Sequence, residues 1–292
     1  MLDKLRGTSE IKMKNFVSHF VFRSVCSNFA QKIGVMQDIN NGIIKLVRSL
    51  AMKKNRDDEG LFVAEGTKCV RDTWDAFQCR YLIATRAWYE QCGNASHYDK
   101  LVLAPKGQMA RMSQFSTPSD VMAIYEIPER NVDADEVRHG LNIVLDNIQD
   151  PGNLGTIIRL ADWYGIGNIF ANPTSVDVYN HKVVQATMGA ISRVKVHYQD
   201  LEDLFDDYSD LPIYGTFLDG DNIYAQSLEP RGFVVFGNEG KGIGAKVAAR
   251  VTHRLLIPSA PRQGECSESL NVGIAAAITV SELLRPTLGT QK

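Results

Sequence analysis

Three loops in this sequence carry residue types that could do chemistry together. The first is Asp-Asn-Ile-Gln-Asp-Pro-Gly-Asn-Leu-Gly, residues 146–155, followed by a helical stretch bearing Arg159. Asp150-Pro151-Gly152 is a turn signal, and Asn153 stands where it could cap the helix. Arg159 follows Asn153 by six positions, under two turns, and could point back toward the same strand end. The second loop is Phe-Gly-Asn-Glu-Gly-Lys-Gly-Ile-Gly, residues 236–244. Its glycines let backbone approach a ligand closely. It is not a Walker A loop, since Gly242 follows Gly240-Lys241 where Ser or Thr is required. Nor is it a dinucleotide fingerprint, which opens the first helix of a βαβ unit. Glu239 at its centre would repel a diphosphate but could hydrogen-bond a sugar. The third loop runs from Ile257-Pro258 to Glu268-Ser269-Leu270-Asn271-Val272 and enters an Ala-rich helix. Ser269 and Asn271 could cap that helix and aim polar groups at a ligand.

The elements that must hold these loops follow a regular rhythm. From Leu141 onward the apolar runs LNIVLDNI, GNIFAN, RVKVHY, IYGTFL, GFVVFGN and HRLLIPS alternate with helix-like segments. Strands this apolar are covered on both faces, so they predict a mostly parallel α/β sheet with helices on both faces. Ligands of such sheets bind beyond the carboxyl ends of the strands, which is where the three loops lie. Residues 42–130 read as a smaller α/β domain. GIIKLVRSLAMKK forms an amphipathic helix with Ile44, Val47, Leu50 and Ala51 on one side. Strands follow at LFVAEG, YLIAT, KLVLAP and DVMAIYEI. The charged stretch 131–140 suits a linker to the larger domain, 141–292.

Residues 1–41 differ from the rest. Residues 1–56 hold eleven Lys and Arg against Asp3, Glu10 and Asp38, although the whole chain carries a net charge of −2. The excess fits either a solvated, flexible face or an arm for a polyanion. His19 and Arg23 interrupt the apolar run that a signal peptide needs. A transit peptide and an extension ahead of a true start at Met36 both remain open, and an extension is preferred. The five cysteines, 26, 69, 79, 92 and 266, are scattered and lack a Cys-x-x-Cys pair. That argues against a disulfide framework or a metal site and for the reducing cytoplasm. No apolar run is long enough to span a membrane.

Taken in order, the three loops resemble the signature motifs of the SpoU/TrmH family of RNA methyltransferases. Those motifs read N-x-G-x-x-x-R, G-x-E-G-x-G and S-L-N-V. The matches here are Asn153-Leu-Gly155 with Arg159, Gly237-Asn-Glu239-Gly-Lys-Gly242, and Ser269-Leu-Asn271-Val. Met188-Gly189-Ala190 resembles an intermediate family segment, and residues 45–72 resemble a ribosomal-protein-like substrate-binding domain. The likeness runs from about residue 42 to about residue 285. It implies methyl transfer from S-adenosylmethionine to a ribose 2′-hydroxyl of RNA, ribosomal RNA ahead of transfer RNA. It also implies a C-terminal trefoil knot and a homodimer. Catalytic roles would fall on Arg159, Asn153, Glu239, Ser269 and Asn271. Cofactor contacts would fall on Thr216, Phe217, Gly237, Asn238, Glu239, Gly240, Ile257 and Leu270. The family reading makes Arg159 a base, but an arginine rarely gives up its proton, which favours a phosphate-fixing role. The segment SAPRQGECSE, with Arg262 and Cys266, is longer than the family pattern. The alternatives from other classes are a non-catalytic RNA-binding or ribosome-assembly protein on this fold, and an NAD-type enzyme, which the failed fingerprints disfavour.

Overall fold

The computed structural model describes residues 35–92, 98–260 and 268–288. The basic segment 1–34 and the Arg262–Cys266 stretch singled out above lie outside the described residues.

The N-terminal domain runs β1 (Val35–Asp38), α1 (Asn41–Ser49), α2 (Lys53–Glu59), β2 (Leu61–Glu65), α3 (Thr67–Thr73), β3 (Cys79–Ala84), α4 (Arg86–Cys92), β4 (Tyr98–Leu103), α5 (Lys106–Met112) and β5 (Val121–Glu126). Its five strands lie in the order β1-β4-β3-β5-β2. The first three run parallel, and β5 is antiparallel to both β3 and β2. The expected helix is α1, which buries Ile43, Ile44 and Val47 with the following Leu50 against α5 and one sheet face. Ala51 is only half-buried. One boundary moves: β1 lies inside the stretch expected to be extension, because Val35–Asp38 pairs with Lys100–Leu103. A four-residue edge strand carries too little periodicity to be read alone.

The C-terminal domain continues with α6 (Ala134–His139), β6 (Leu141–Asp146), α7 (Pro151–Trp163), β7 (Asn168–Ala171), α8 (His181–Ala186), β8 (Lys195–Tyr198), α9 (Leu201–Asp207), β9 (Ile213–Asn222), β10 (Gly232–Gly237), α10 (Ala245–Ala248), β11 (His253–Leu256) and α11 (Val272–Leu288). All six expected strands form, in the order β11-β9-β10-β6-β7-β8, and every pairing is parallel. β6 and β10 are buried along their whole length, which explains their unbroken apolar sequence. The expected linker is not a bare connection. Asp133 caps α6 through the Asp135 and Glu136 amides, and Val137 is fully buried in the larger domain's core.

The two domains share one hydrophobic core. Phe62, Val70, Trp74 and Tyr125 pack in the same cluster as Val183, Val184, Ala190 and Ile191, and Phe62 meets the Tyr179 ring at 4.6 Å. Polar ties reinforce the joint. The Arg56 guanidinium, 2% exposed, donates through Nε to Asp177 at 2.9 Å and through Nη1 to the Leu50 and Ala51 carbonyls. Arg130 donates to the Val194 and Ile191 carbonyls.

His197 on β8 is buried against the Phe170 ring and sits 3.1 Å from Asn168 Oδ1. Burial, then the charges of Arg130 and Lys195, pushes its pKa down to about 4, with Glu136 opposing. The unfolded chain takes up the proton near pH 6.5, so the neutral ring's contribution is complete above that pH. It is lost as pH falls from 6.5 toward 4 and changes no further below. Thermal melts across that window should show the wild type losing more stability than His197→Gln, by at most about 3 kcal/mol. Parallel pH profiles would remove His197 from the account.

Candidate active site

The sheet changes sides at β6: the chain runs outward through β7 and β8 on one side, then crosses to β9 on the other, steps inward to β10 beside β6 and ends at the edge in β11. The crevice beyond the carboxyl ends of β6 and β10 is the place where such sheets bind ligands. The loops after these two strands, residues 147–150 and 238–244, meet there.

Local chemistry fixes both loops. Asp146 at the end of β6 accepts from the Gly244 amide at 2.7 Å and from Asn172 Nδ2 at 3.0 Å, tying the far end of the second loop to the first strand. Asn238 shapes its own loop. Its Oδ1 accepts from the Gly240 and Lys241 amides, its Nδ2 donates to the Asn147 carbonyl, and its backbone pairs with Gly242 in both directions at 2.9 Å. The hairpin closes so tightly over Gly237 that a Cβ there would lie 2.2 Å from the Gly242 carbonyl carbon. Only glycine fits.

Asp150, rather than Asn153, caps α7: its Oδ1 accepts from the Asn153 amide at 2.8 Å, and Pro151 occupies the first turn. An Asp followed by Pro is a helix-start signal, so the sequence held this information. Asn153 is thereby freed for another task. Its Nδ2 donates to Glu239 Oε1 at 2.9 Å, and its Oδ1 accepts from Asn271 Nδ2 at 2.9 Å. Asn271 Oδ1 in turn accepts from the Gly273 and Ile274 amides, capping α11 as expected. The polarity of this chain is set at both ends. A carboxylate only accepts and a helix N-terminus only donates, so both amide orientations follow. Burial works to raise the Glu239 pKa, but donation from Asn153 and from the Asp150 and Gln149 amides outweighs it and holds the carboxyl below its ordinary value. Glu239 is therefore an ionised, orienting group and a weak base.

Beside this chain opens a pocket of about 400 Å³, within the usual range for small-molecule sites. Thr216, Phe217, Gly237, Asn238, Glu239, Gly240, Ile257, Ser269 and Leu270 all line it. Thr216 and Phe217 lie within β9 rather than beyond it. The ladder to β11 jumps from Gly215 to Asp221, so the residues between bulge toward the pocket. The Arg254 guanidinium covers the Phe217 ring at 3.5 Å. Leu218, Leu256, Val272 and Ala275 add apolar wall that sequence reasoning did not single out.

Arg159 stands apart. It is exposed on α7 and lines a second, open depression with Thr156, Trp163 and Met188. Among the described residues it has no hydrogen-bond or ion-pair partner, and it joins neither Asn153 nor Glu239. Six residues of helix advance about 9 Å and turn the side chain roughly 120° away, which the spacing in sequence concealed. Gly155 explains why α7 lies where it does: a Cβ there would come 2.3 Å from the Ala186 Cβ, so only glycine lets α7 pack this closely on α8.

Comparison with known proteins agrees with this geometry. Residues 140–281 match the SpoU rRNA Methylase family, and residues 41–123 match the MRM3-like substrate binding domain. A solved structure of a TrmH-family protein from Porphyromonas gingivalis is 38% identical, with a TM-score of 0.76, over 85% of this chain and 99% of that one. The chain belongs to the SpoU/TrmH family of RNA methyltransferases. Another similar structure, the AdoMet-bound rRNA methyltransferase from Sinorhizobium meliloti, is 27% identical at a TM-score of 0.73, covering 86% of this chain and 98% of that one. The 23S rRNA (guanosine(2553)-2′-O)-methyltransferase RlmP of Bacillus subtilis is 26% identical over 85% of this chain and 98% of its own length. For a SpoU/TrmH protein the two matched models fall on the two α/β units described above, and the linked residues Asn153, Glu239 and Asn271 come one from each family motif.

Proposed function

We propose that this chain transfers a methyl group from S-adenosylmethionine to a ribose 2′-hydroxyl of RNA, ribosomal RNA being the favoured substrate. The observation that carries the reading is the Asn153–Glu239–Asn271 chain set at the edge of the glycine-walled pocket. The pocket fits the cofactor's chemistry. Backbone of 237–243 and the apolar walls from Leu256, Ile257 and Val272 suit a nucleoside, and the ionised Glu239 suits a nearby cation. Bound S-adenosylmethionine supplies an electrophilic methyl on a sulfonium and leaves as the neutral thioether. The protein's own contribution would be orientation: the amide chain Glu239–Asn153–Asn271 would hold the ribose with its 2′-hydroxyl facing the transferable methyl. Neither Glu239, with its lowered pKa, nor Arg159, always charged, is a good proton acceptor. The hydroxyl proton therefore passes to water or a phosphate oxygen, and Arg159 fixes that phosphate and stabilises the developing alkoxide. Ser269 shapes the pocket wall.

The trefoil knot belongs to this reading. In support, residues 255–257 and 268–270 wall the same pocket as the 237–243 loop. Homodimer formation is supported by exposed Leu218 and Leu270 on the pocket lining and Ile274 in the first turn of α11, 76%, 49% and 52% exposed. A cytoplasmic location accords with the free cysteines 69, 79 and 92, and among the described residues no helix is long and apolar enough to cross a membrane.

Calorimetry tests the reading: S-adenosylmethionine should bind at micromolar affinity and NAD should not. Absence of S-adenosylmethionine binding at millimolar ligand would reject it. Gly237→Ala places a methyl against the Gly242 backbone; the hairpin must open, and cofactor affinity should fall at least about tenfold while the melting curve stays cooperative. Unchanged affinity would show that this hairpin does not hold the cofactor.

A further inference from the structure

We propose that the open depression between the two domains is a track for single-stranded RNA in which the Trp163 indole stacks on a base flanking the target nucleotide. The inference rests on the methyltransferase reading for the identity of the ligand as RNA.

Trp163 is 84% exposed, whereas Trp74 and Trp88 are buried in the core at 6% and 7%. An indole left in water beside a cation without a partner among the described residues is a ready stacking platform. Trp163 lies one turn beyond Arg159, and Thr156, Arg159, Leu160 and Trp163 form one stripe of α7 lining a depression of about 640 Å³. The stripe begins beside the catalytic chain, because Thr156 Cγ2 lies 3.2 Å from where a Cβ on Gly273 would stand, next to Asn271. From Asn153 to Trp163 the helix covers about 15 Å, far enough to engage a nucleotide next to the one being modified.

The opposite wall comes from the N-terminal domain and the turn after α8. Lys68 on α3 faces the depression. Met188 is held 43% exposed in a left-handed conformation, φ 50°, that non-glycine residues seldom adopt. Gly189 follows at φ 92°, and a Cβ there would strike Asp72 at 2.4 Å, so the turn is pressed against α3. The strained turn therefore fixes the spacing of the two walls.

Charge selects RNA over a protein partner. Arg159 has no partner among the described residues, and the exposed Lys68 is paired only to Asp72 one turn along its own helix. The one acid in the lining, Asp162, is engaged by Arg193 through two hydrogen bonds at 2.7 and 2.8 Å. Cations flanking an exposed indole are the combination that grips a single strand, with phosphates on the charges and a base on the ring. Stacking of this kind tolerates any base, so it adds affinity and register rather than sequence choice.

All three tryptophans emit, but Trp74 and Trp88 are buried out of reach of added RNA, so a binding-induced change in emission comes from Trp163. Titrating the full chain, without S-adenosylmethionine, with a short single-stranded RNA of mixed sequence should quench its emission, and the same sequence as a duplex should not. Trp163→Ala should weaken that RNA about tenfold and raise the KM for RNA, leave S-adenosylmethionine affinity unchanged, and be largely rescued by Trp163→Phe. Wild-type RNA affinity in Trp163→Ala, or quenching that persists in Trp163→Phe, would overturn the proposal. So would a fall in sedimentation coefficient in Trp163→Ala, which would make the indole a contact between copies of this chain. Methyl transfer intact with RNA affinity unmoved refutes the track alone. Fluorescence quenching in a protein that transfers no methyl group refutes the methyltransferase reading while leaving the track.

Discussion

Arg159→Ala should fold normally, bind S-adenosylmethionine normally and lose at least about 100-fold in single-turnover methyl transfer, the usual scale for one positioned charge at a reacting centre. Folding should survive because the side chain is exposed and makes no hydrogen bond or ion pair among the described residues. The cofactor should still bind because Arg159 does not line that pocket. A loss confined to turnover would therefore mean that Arg159 acts on the RNA, through a phosphate that only the bound substrate brings. Arg159→Lys separates charge from geometry. Lysine keeps the charge but cannot make the planar two-pronged contact, so it should rescue little. A lysine variant whose activity returns and climbs with pH would instead identify a titrating base at this position. Near-normal rates in Arg159→Ala would leave it a surface residue.

The second large effect concerns the joint between domains. Asp177→Ala should destabilise the protein by about 3–5 kcal/mol, because it strands the buried Arg56 guanidinium without its counter-charge. Arg56→Met with Asp177→Leu should recover much of the loss, since a buried ion pair exchanged for apolar groups of similar size is often neutral. Denaturant melts of the single and double variants give the coupling directly. A single variant that melts like the wild type would show that the shared core around Phe62 and Tyr179 alone holds the domains.

The larger sheet was legible because β6 and β10 are covered on both faces and so must be apolar throughout. One wall of the pocket was legible in its glycines, whose absence of a side chain is itself the signal, as at Gly237; the other wall positions came from the family resemblance. All eight residues expected around the cofactor line it. What stayed hidden is what depends on direction in space. Arg159, expected to reach back toward the strand end, lies on an exposed face of α7 and bonds to neither Asn153 nor Glu239. Asn153 was expected as a cap, yet Asp150 does that work, and Asn153 is instead bound to two residues 86 and 118 positions away. Such partners cannot be found from local sequence. The edge strand Val35–Asp38 and the helix Ala134–His139 were read as extension and linker because their structure comes from docking on a neighbour. Asp146, which fastens the catalytic loop, was in view in the first motif but its role depends on the Gly244 amide across the crevice.

The central claim is that the group methylated is a ribose 2′-hydroxyl. Incubating the protein with ribosomal RNA and S-adenosylmethionine labelled in the methyl group, then hydrolysing the product with alkali, tests it directly. Alkaline cleavage of RNA needs a free 2′-hydroxyl, so the account predicts that the label is recovered in alkali-resistant dinucleotides. It also predicts that Glu239→Gln, which removes the charge anchoring Asn153, sharply lowers the yield. Label recovered in mononucleotides would place the methyl on a base, and no incorporation would mean that the chain is not a methyltransferase; either result contradicts the account.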